Sequence, residues 1–233
     1  WGDDGRFLLQ VTNAEGHATR TEWDPSLAVA VRVTDANGLA TQFQYDEIGR
    51  EIRRTRPDGT STSIARTNCG ADCAWPDARY SVRVTRLGVG DVHLGFNETG
   101  YDLHDRVVYS RAELPAGRQV LHARRYDQQG RLMQESLPAD CCAAPPYWTL
   151  HSYDLLGRRV RQYAPGGPGR PAPAVTSWRH DGLTVTETDP LGRDTVRTYN
   201  AVGGLARVVD AALSGTHYDY DAFGNVITND IES

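Results

Sequence analysis

The chain has 233 residues, 39% of them hydrophobic, with 25 basic against 30 acidic side chains and a net charge of −5. That length allows one large or two ordinary domains with a modest core, and no apolar run is long enough to cross a membrane as a helix. Every basic residue is Arg, and these are scattered along the chain instead of gathered on one stretch, which argues against a nucleic-acid interface.

The first residue is Trp1, with neither a Met nor an apolar leader after it, so the chain reads as part of a longer protein. Turn-like segments then follow one another. Thr12-Asn13-Ala14-Glu15-Gly16, Trp23-Asp24, Thr34-Asp35-Ala36-Asn37-Gly38, Tyr45-Asp46-Glu47-Ile48-Gly49-Arg50 and Arg56-Pro57-Asp58-Gly59 recur about every eleven residues, a spacing typical of antiparallel β structure. Between turns the residues alternate: Leu39, Thr41, Phe43 and Tyr45 share one face of a predicted strand. Residues 61–100 break the beat. They hold Cys69, Cys73 and Trp75-Pro76 but no Tyr-Asp motif, and a longer loop is expected there.

The motif returns as Tyr101-Asp102-Leu103-His104-Asp105-Arg106 and Tyr126-Asp127-Gln128-Gln129-Gly130-Arg131. A Pro- and Ala-rich stretch, 138–147, contains Cys141-Cys142 and reads as a second loop. After Tyr153-Asp154-Leu155-Leu156-Gly157-Arg158, the Pro- and Gly-rich stretch 164–175 reads as a third. His180-Asp181-Gly182-Leu183 looks like a degenerate copy, with His in place of Tyr. The series closes with Thr188-Asp189-Pro190-Leu191-Gly192-Arg193, Tyr199-Asn200-Ala201-Val202-Gly203-Gly204, Val209-Asp210 and Tyr220-Asp221-Ala222-Phe223-Gly224-Asn225. No segment carries a helical stripe. The expectation is an all-β chain of tandem antiparallel hairpins forming a curved, continuous sheet, with 1–233 a single repeat region and the three loops inside it.

The chemistry of the step supports a structural role. An Asp or Asn side chain at the first turn position bonds backbone N–H groups further on, and Gly three residues later takes the positive φ that closes the turn. The aspartates could instead be paired catalytic carboxylates, but a catalyst needs one constellation and a turn is needed in every repeat. Tyr45, Asp46, Gly49, Arg50, Tyr101, Asp102, Tyr126, Asp127, Gly130, Arg131, Tyr153, Asp154, Gly157, Arg158, Asp189, Gly192, Tyr199, Tyr220, Asp221 and Gly224 are therefore read as architectural. Asp3-Asp4 and one Asp per turn are too sparse for a calcium loop. The seven His residues, His17, His93, His104, His122, His151, His180 and His217, show no ligand or nucleophile spacing. Cys69, Cys73, Cys141 and Cys142 suit structural thiols or disulfides of an exported protein; the alternative is a zinc site of four thiolates. The 11 Tyr and 5 Trp suit packing, with a sugar-stacking face as the alternative. No cofactor or metal is implied.

The repeated Tyr-Asp-x-x-Gly-Arg followed by an apolar residue resembles the YD repeat of RHS proteins, a group that includes bacterial polymorphic toxins, Tc toxin cocoon components, wall-associated proteins and, distantly, teneurins. The resemblance runs over nearly the whole chain. It implies a section of a hollow RHS shell, non-catalytic itself, enclosing a C-terminal effector, with the remaining repeats and that effector as partners. It also implies a secreted or cell-surface bacterial protein, and adhesion through glycans or contact with a secretion-system component as alternatives. Some members carry a self-cleaving pair of Asp-Pro-x-Gly elements. This sequence has one, Asp189-Pro190-Leu191-Gly192, so no protease function is carried over.

Overall fold

The computed structural model describes residues 5–69, 73–141, 145, 147–166 and 172–232. Cys142, Asp3, Asp4 and the centre of the 164–175 stretch lie outside them. The all-β reading holds: the described residues form twenty strands, and every pairing is antiparallel. In chain order these are β1 Gln10–Thr12, β2 Ala18–Asp24, β3 Val29–Thr34, β4 Ala40–Tyr45, β5 Glu51–Thr55, β6 Ser61–Asn68, β7 Tyr80–Leu87, β8 His93–Tyr101, β9 Val107–Glu113 and β10 Gln119–Tyr126. They continue as β11 Leu132–Ser136, β12 Ala139–Asp140, β13 Trp148–Tyr153, β14 Arg159–Ala164, β15 Ala174–Asp181, β16 Thr184–Thr188, β17 Asp194–Tyr199, β18 Leu205–Val209, β19 Gly215–Tyr220 and β20 Val226–Glu232.

The chain divides into two compact units, Trp1–Ala123 with Pro138–Ala144 and Arg124–Leu137 with Pro145–Ser233. In the first, each strand from β1 to β9 pairs with the next, and the first part of β10 pairs with both β9 and β12. The buried side chains of this unit are Trp75, Ala78, Phe96, Val108, Tyr109, Leu121 and Ala123, with Ser61, Ser81 and Glu98 among them. In the second unit, Arg124–Tyr126 pair with β11, β11 pairs with β13, and the strands follow in order to β20. Its buried side chains are Ser136, Pro145, Thr149 and His151, and the others are half exposed or exposed. That is the signature of a sheet with no second layer over it.

Residues 61–100, expected as a long loop, hold β6, β7 and most of β8, at 8, 8 and 9 residues among the longer strands of the chain. The motif is missing there because the connections differ, not because the strands stop. The β6–β7 link is closed by a Cys69–Cys73 disulfide and a Cys69 N–H bond to the Arg79 carbonyl of 2.7 Å. The β7–β8 link contains a single 3-10 turn, Val89–Asp91. Of the other two expected loops, 138–147 contributes the short β12, and the ends of 164–175 belong to β14 and β15. The segment from His180 to Leu183 is not a degenerate copy of the motif. Asp181 pairs directly with Thr184, so Gly182 and Leu183 make a two-residue hairpin turn, with Gly182 at φ +55° in the first central position.

Within each unit the turns sort by end. Antiparallel order puts alternate connections at the same end of a sheet. In the first unit, Trp23, Tyr45 and Tyr101 thus lie at one end and the turns at Asn13, Asp35 and Arg56 at the other. In the second, Tyr126, Tyr153, Tyr199 and Tyr220 lie at one end and the turns at Asp189 and Asp210 at the other. Register separates the two kinds. At each of the six motif tyrosines the ladder shifts: Gln44 pairs with Arg53 but Tyr45 with Glu51, so Ile52 is an extra residue. Val108, Met133, Val160, Ala206 and Ile227 are the corresponding extras. The turns from Thr34, Thr55, Thr188 and Val209 close without a shift. A bulge bends its strand and increases local twist, and here every one of these six sits on the same side of its hairpin.

Most turns place Gly at the left-handed position, but the turn at Asp210 has Leu213 there, at φ +65° and 83% exposed. A left-handed non-glycine residue costs roughly 1–2 kcal/mol, and this side chain recovers little by packing. Leu213→Gly should therefore stabilise the protein by about 1 kcal/mol, read as a higher urea midpoint at unchanged slope.

Candidate functional site

The repeated site is the turn itself, and its geometry can be followed in one copy. The Asp46 carbonyl accepts from Gly49 N–H at 3.0 Å, and Asp46 N–H donates to the Arg50 carbonyl at 2.9 Å. Gly49 sits at φ +78°. This is a three-residue hairpin loop, a tight turn followed by a left-handed residue. The carboxylate then fills the inside. Asp46 Oδ1 accepts from Ile48 N–H (3.2 Å) and Arg50 N–H (2.9 Å), and Oδ2 accepts from Arg50 Nε at 2.7 Å.

The same three contacts recur at Asp102, Asp127, Asp154 and Asp189 with Arg106, Arg131, Arg158 and Arg193. Gly130, Gly157, Gly192 and Gly224 take the left-handed position, while in the Asp102 turn Asp105 takes it at φ +58°. In the last copy Asn225 Nδ2 stands in for the Arg and donates to Asp221 Oδ2 at 2.9 Å. Asn200 keeps the two amide contacts, to Val202 and Gly204, and has no Arg opposite. The Asp-Pro-Leu-Gly element at 189–192 is thus one of these turns, with its carboxylate occupied by Leu191, Arg193 and the turn amides.

The tyrosine is the second part. Tyr45 Oη donates to the Ala30 carbonyl, Tyr153 Oη to that of Leu132 and Tyr220 Oη to that of Leu205, each at 2.8 Å. All three acceptors lie just before the extra residue of the preceding hairpin, where the ladder is interrupted. Each of these tyrosines therefore reaches back over the bulge of its neighbour. Tyr101 instead stacks on Tyr80, centroids 4.9 Å apart. Tyr126 ends β10 and Tyr199 ends β17, where Tyr199 N–H donates to the Leu183 carbonyl at 2.9 Å. Sequence spacing alone did not assign work to the tyrosine hydroxyl or to the arginine. Their recurrence, Tyr never replaced by Phe and Arg always four residues after Asp where present, was the available signal.

The electrostatics follow from these contacts. The backbone amide of Arg50, aided by its guanidinium, holds the Asp46 carboxyl below the ordinary aspartate value of 3.8. At Asp102 burial pushes upward, but the Arg106 guanidinium and amide outweigh it and the group is lowered as well. Asp127, Asp154, Asp189 and Asp221 are lowered in the same way.

A second cluster lies in the first unit. Glu98 on β8 pairs directly with Arg83 on β7 and with Arg111 on β9. It is 4% exposed. Its Oε2 accepts from Arg83 Nε at 2.6 Å and from Arg111 Nη2 at 2.9 Å, and its Oε1 accepts from the Tyr109 hydroxyl. Both guanidiniums lie over the Phe96 ring, at 4.6 and 5.3 Å from its centroid. Burial raises Glu98, yet its three donors together hold it below the usual glutamate value. Burial and the neighbouring carboxylate push Tyr109 up to about 12. Gly100 makes room for this ring, since a Cβ there would fall 1.9 Å from Tyr109 Cε1. Both carboxylate oxygens of Glu98 are engaged, so the cluster holds three strands together.

Of the cysteines, Cys69 and Cys73 are bonded to each other, which excludes them from a four-thiolate zinc site. Cys141 is half buried with Arg111 Nη1 3.7 Å from its sulfur. Among the described residues no three His, Cys, Asp or Glu side chains converge as metal ligands would, and no helix is long and apolar enough to cross a membrane.

The RHS Repeat family profile matches residues 30–61, the segment from β3 through the turn after β5. No curated protein sequence matches the chain. Among solved structures, the chain is similar to TcdB2–TccC3–Cdc42 (TM-score 0.71, 13% identity, 96% of this chain and 17% of that one). It is similarly related to TcdB2–TccC3 without its hypervariable C-terminal region (TM-score 0.70, 13% identity, 96% and 17%). TcdB2–TccC3 itself gives a TM-score of 0.64 at 14% identity, over 96% and 15%. These likenesses establish the fold. The chain spans about a sixth of the length of the proteins it resembles.

Two outcomes test the turn chemistry. Tyr153→Phe leaves the Leu132 carbonyl without its donor and should cost about 1 kcal/mol, seen as a lower denaturant midpoint. For pH, each lowered carboxyl binds its proton more weakly in the folded state than in the unfolded one. Its contribution is complete above the ordinary carboxylate range and lost as pH falls through the lowered value. Thermal unfolding should therefore be nearly flat from pH 7 to about 5 and fall steadily below about 4. A stability maximum below pH 4 would contradict the turn assignment.

Proposed function

We propose that this chain is a non-catalytic stretch of wall, a run of RHS-type hairpins in a larger bacterial shell that encloses a C-terminal effector. The observation that carries the reading is the engagement of the motif carboxylates: each accepts from two amides of its own turn, and five of them also from the turn arginine, so the contacts repeat with the turn instead of forming one catalytic constellation. The likeness to TcdB2–TccC3 supports it, because the similarity is kept when the hypervariable C-terminal region is removed. On this reading the partners are the remaining repeats and the effector. Export places the protein outside the cell or on its surface, and the turn residues named above, with the Cys69–Cys73 bond, are architectural.

The glycan-binding alternative draws less support. Arg125, Arg131 and Arg159 guanidiniums lie 4.8, 4.8 and 4.2 Å from the centroids of Trp148, Tyr153 and Trp178, over ring faces that a stacked sugar would need.

The test uses the full-length protein. A protease should cut the region that follows the hairpins at least tenfold more slowly in the intact protein than in that region produced alone, with protection lost when the sheet is unfolded by urea. Equal cleavage rates in the two forms would overturn enclosure.

A further inference from the structure

Within the first unit, a cleft of about 590 Å³ opens where the Tyr45 and Tyr101 turns lie, a size in the range of small-molecule sites. Its floor is a cross-strand row. Asn68 on β6 pairs with Tyr80 on β7, and Tyr80 with Tyr101 on β8, so the three side chains stand on one face. The two rings are stacked, with 15° between their planes. Arg50, leaving the β4–β5 turn, and Arg66, on β6, also line the cleft, as does Asp105 in the β8–β9 turn. In strand order both guanidiniums come before the tyrosine pair and the carboxylate comes after it.

Three features set these residues apart from the repeat. Tyr101 stacks on Tyr80 instead of reaching back over a neighbouring bulge as Tyr45, Tyr153 and Tyr220 do. Asp105 takes the left-handed position that Gly fills in the Asp46, Asp127, Asp154 and Asp189 turns, and its Oδ1 accepts from Tyr80 Oη at 3.0 Å. Arg66 donates through Nη1 to the Glu51 carbonyl at 3.0 Å and meets no carboxylate among the described residues.

We propose that this cleft binds a small ring carboxylate that carries hydroxyl groups. The ring lies against the Tyr80–Tyr101 pair, the carboxylate on Arg66 and Arg50, and a hydroxyl donates to Asp105.

The charges select such a ligand. The Arg50 guanidinium is already answered by Asp46 through its Nε, which leaves its other nitrogens to donate, so Arg66 is the cation still lacking an anion. A guanidinium and a carboxylate fit as a planar, charge-assisted pair. A single negative charge suits this balance, because a second one would be brought toward Asp105. An ionised carboxylate accepts about four hydrogen bonds, and Asp105 keeps room for a ligand hydroxyl beside the Tyr80 bond. The aromatic platform is held before any ligand arrives, by the stack and by the Tyr80–Asp105 bond, so little ordering remains to oppose binding. The rings of Trp148, Tyr153 and Trp178 are covered by guanidiniums, whereas among the described residues none lies over Tyr80 or Tyr101. The site is a property of the first unit alone and is independent of what the larger protein encloses.

A sugar acid and a phenolic acid share this chemistry, and titrations followed by amide NMR spectra of the chain tell them apart. The probes are glucuronate and para-hydroxybenzoate, with glucose and benzoate as the counterparts that lack the carboxylate or the hydroxyl. At least one probe should saturate a single site, shifting the amides of Arg66, Asn68, Tyr80 and Tyr101, and should bind about tenfold or more tighter than its counterpart. Arg66→Gln, at an exposed position, should weaken that probe by about tenfold. Asp105→Gly restores the residue of the other turns, so it should keep or raise the urea midpoint while weakening the probe. Failure of both probes to saturate overturns the proposal. So does binding no tighter than that of the counterpart, or unchanged affinity in Arg66→Gln or in Asp105→Gly.

Discussion

The structure depends on one carboxylate placed inside a three-residue loop. A hairpin loop this short leaves backbone N–H groups pointing inward with no ladder partner, and a buried or half-buried amide without an acceptor is costly. The aspartate that opens the loop answers two of them with a single oxygen and offers the other oxygen to the arginine that leaves the loop. That arrangement fixes the direction of the outgoing strand before any long-range contact is made. It also neutralises the turn, so that neighbouring turns can approach one another. Arg131 shows the result: its guanidinium closes its own turn on Asp127 and extends to the Asp154 carbonyl of the next one, 3.3 Å away.

Local closure alone would give flat hairpins. The bulge beside each motif tyrosine makes the second contribution, an extra residue on the outgoing strand of its hairpin. The plain Thr-Asp turns at the opposite end carry none. A bulge would normally weaken the ladder where it occurs. The tyrosine of the following hairpin offsets that by donating to the carbonyl beside it, as Tyr45, Tyr153 and Tyr220 do. Repeats are thereby coupled to their neighbours through a specific hydrogen bond as well as through backbone pairing. Stability in such a chain is close to a sum over repeats and their interfaces, which suits a second unit that buries almost no large apolar side chain.

How much of this could be read from the residues depends on whether the signal was local. The turns were legible because Asp, Gly and their spacing state the loop geometry directly, and the alternation in Leu39–Tyr45 states strand. The strands between 61 and 100 were hidden because their connections use a disulfide and a 3-10 turn, and a search keyed to Tyr-Asp passes over them. His180-Asp181-Gly182 misled for the converse reason: Asp followed by Gly also closes a two-residue hairpin, in which the Asp stays in the strand. The Arg83–Glu98–Arg111 ladder was illegible in principle. Its members come from three strands, and only the register between β7, β8 and β9 places them opposite one another.

That ladder also shows why the repeats need not be uniform to work together. In the first unit, Glu98 is buried against two guanidiniums, and removing either partner of such a pair leaves an uncompensated buried charge. A slip by one residue would turn Glu98 to the other face and leave Arg83 and Arg111 without their acceptor. Gly100 enforces the same register sterically, because only a residue without Cβ lets the Tyr109 ring lie across β8. The longest strands of the chain lack the Tyr-Asp turn at both ends of β7, where a disulfide and a 3-10 turn close the links instead. A cross-strand charge pattern and one close packing contact add to that alignment. The alignment of the hairpins is thus specified in two ways: by turn chemistry where the motif is present, and by side-chain complementarity between strands where it is not.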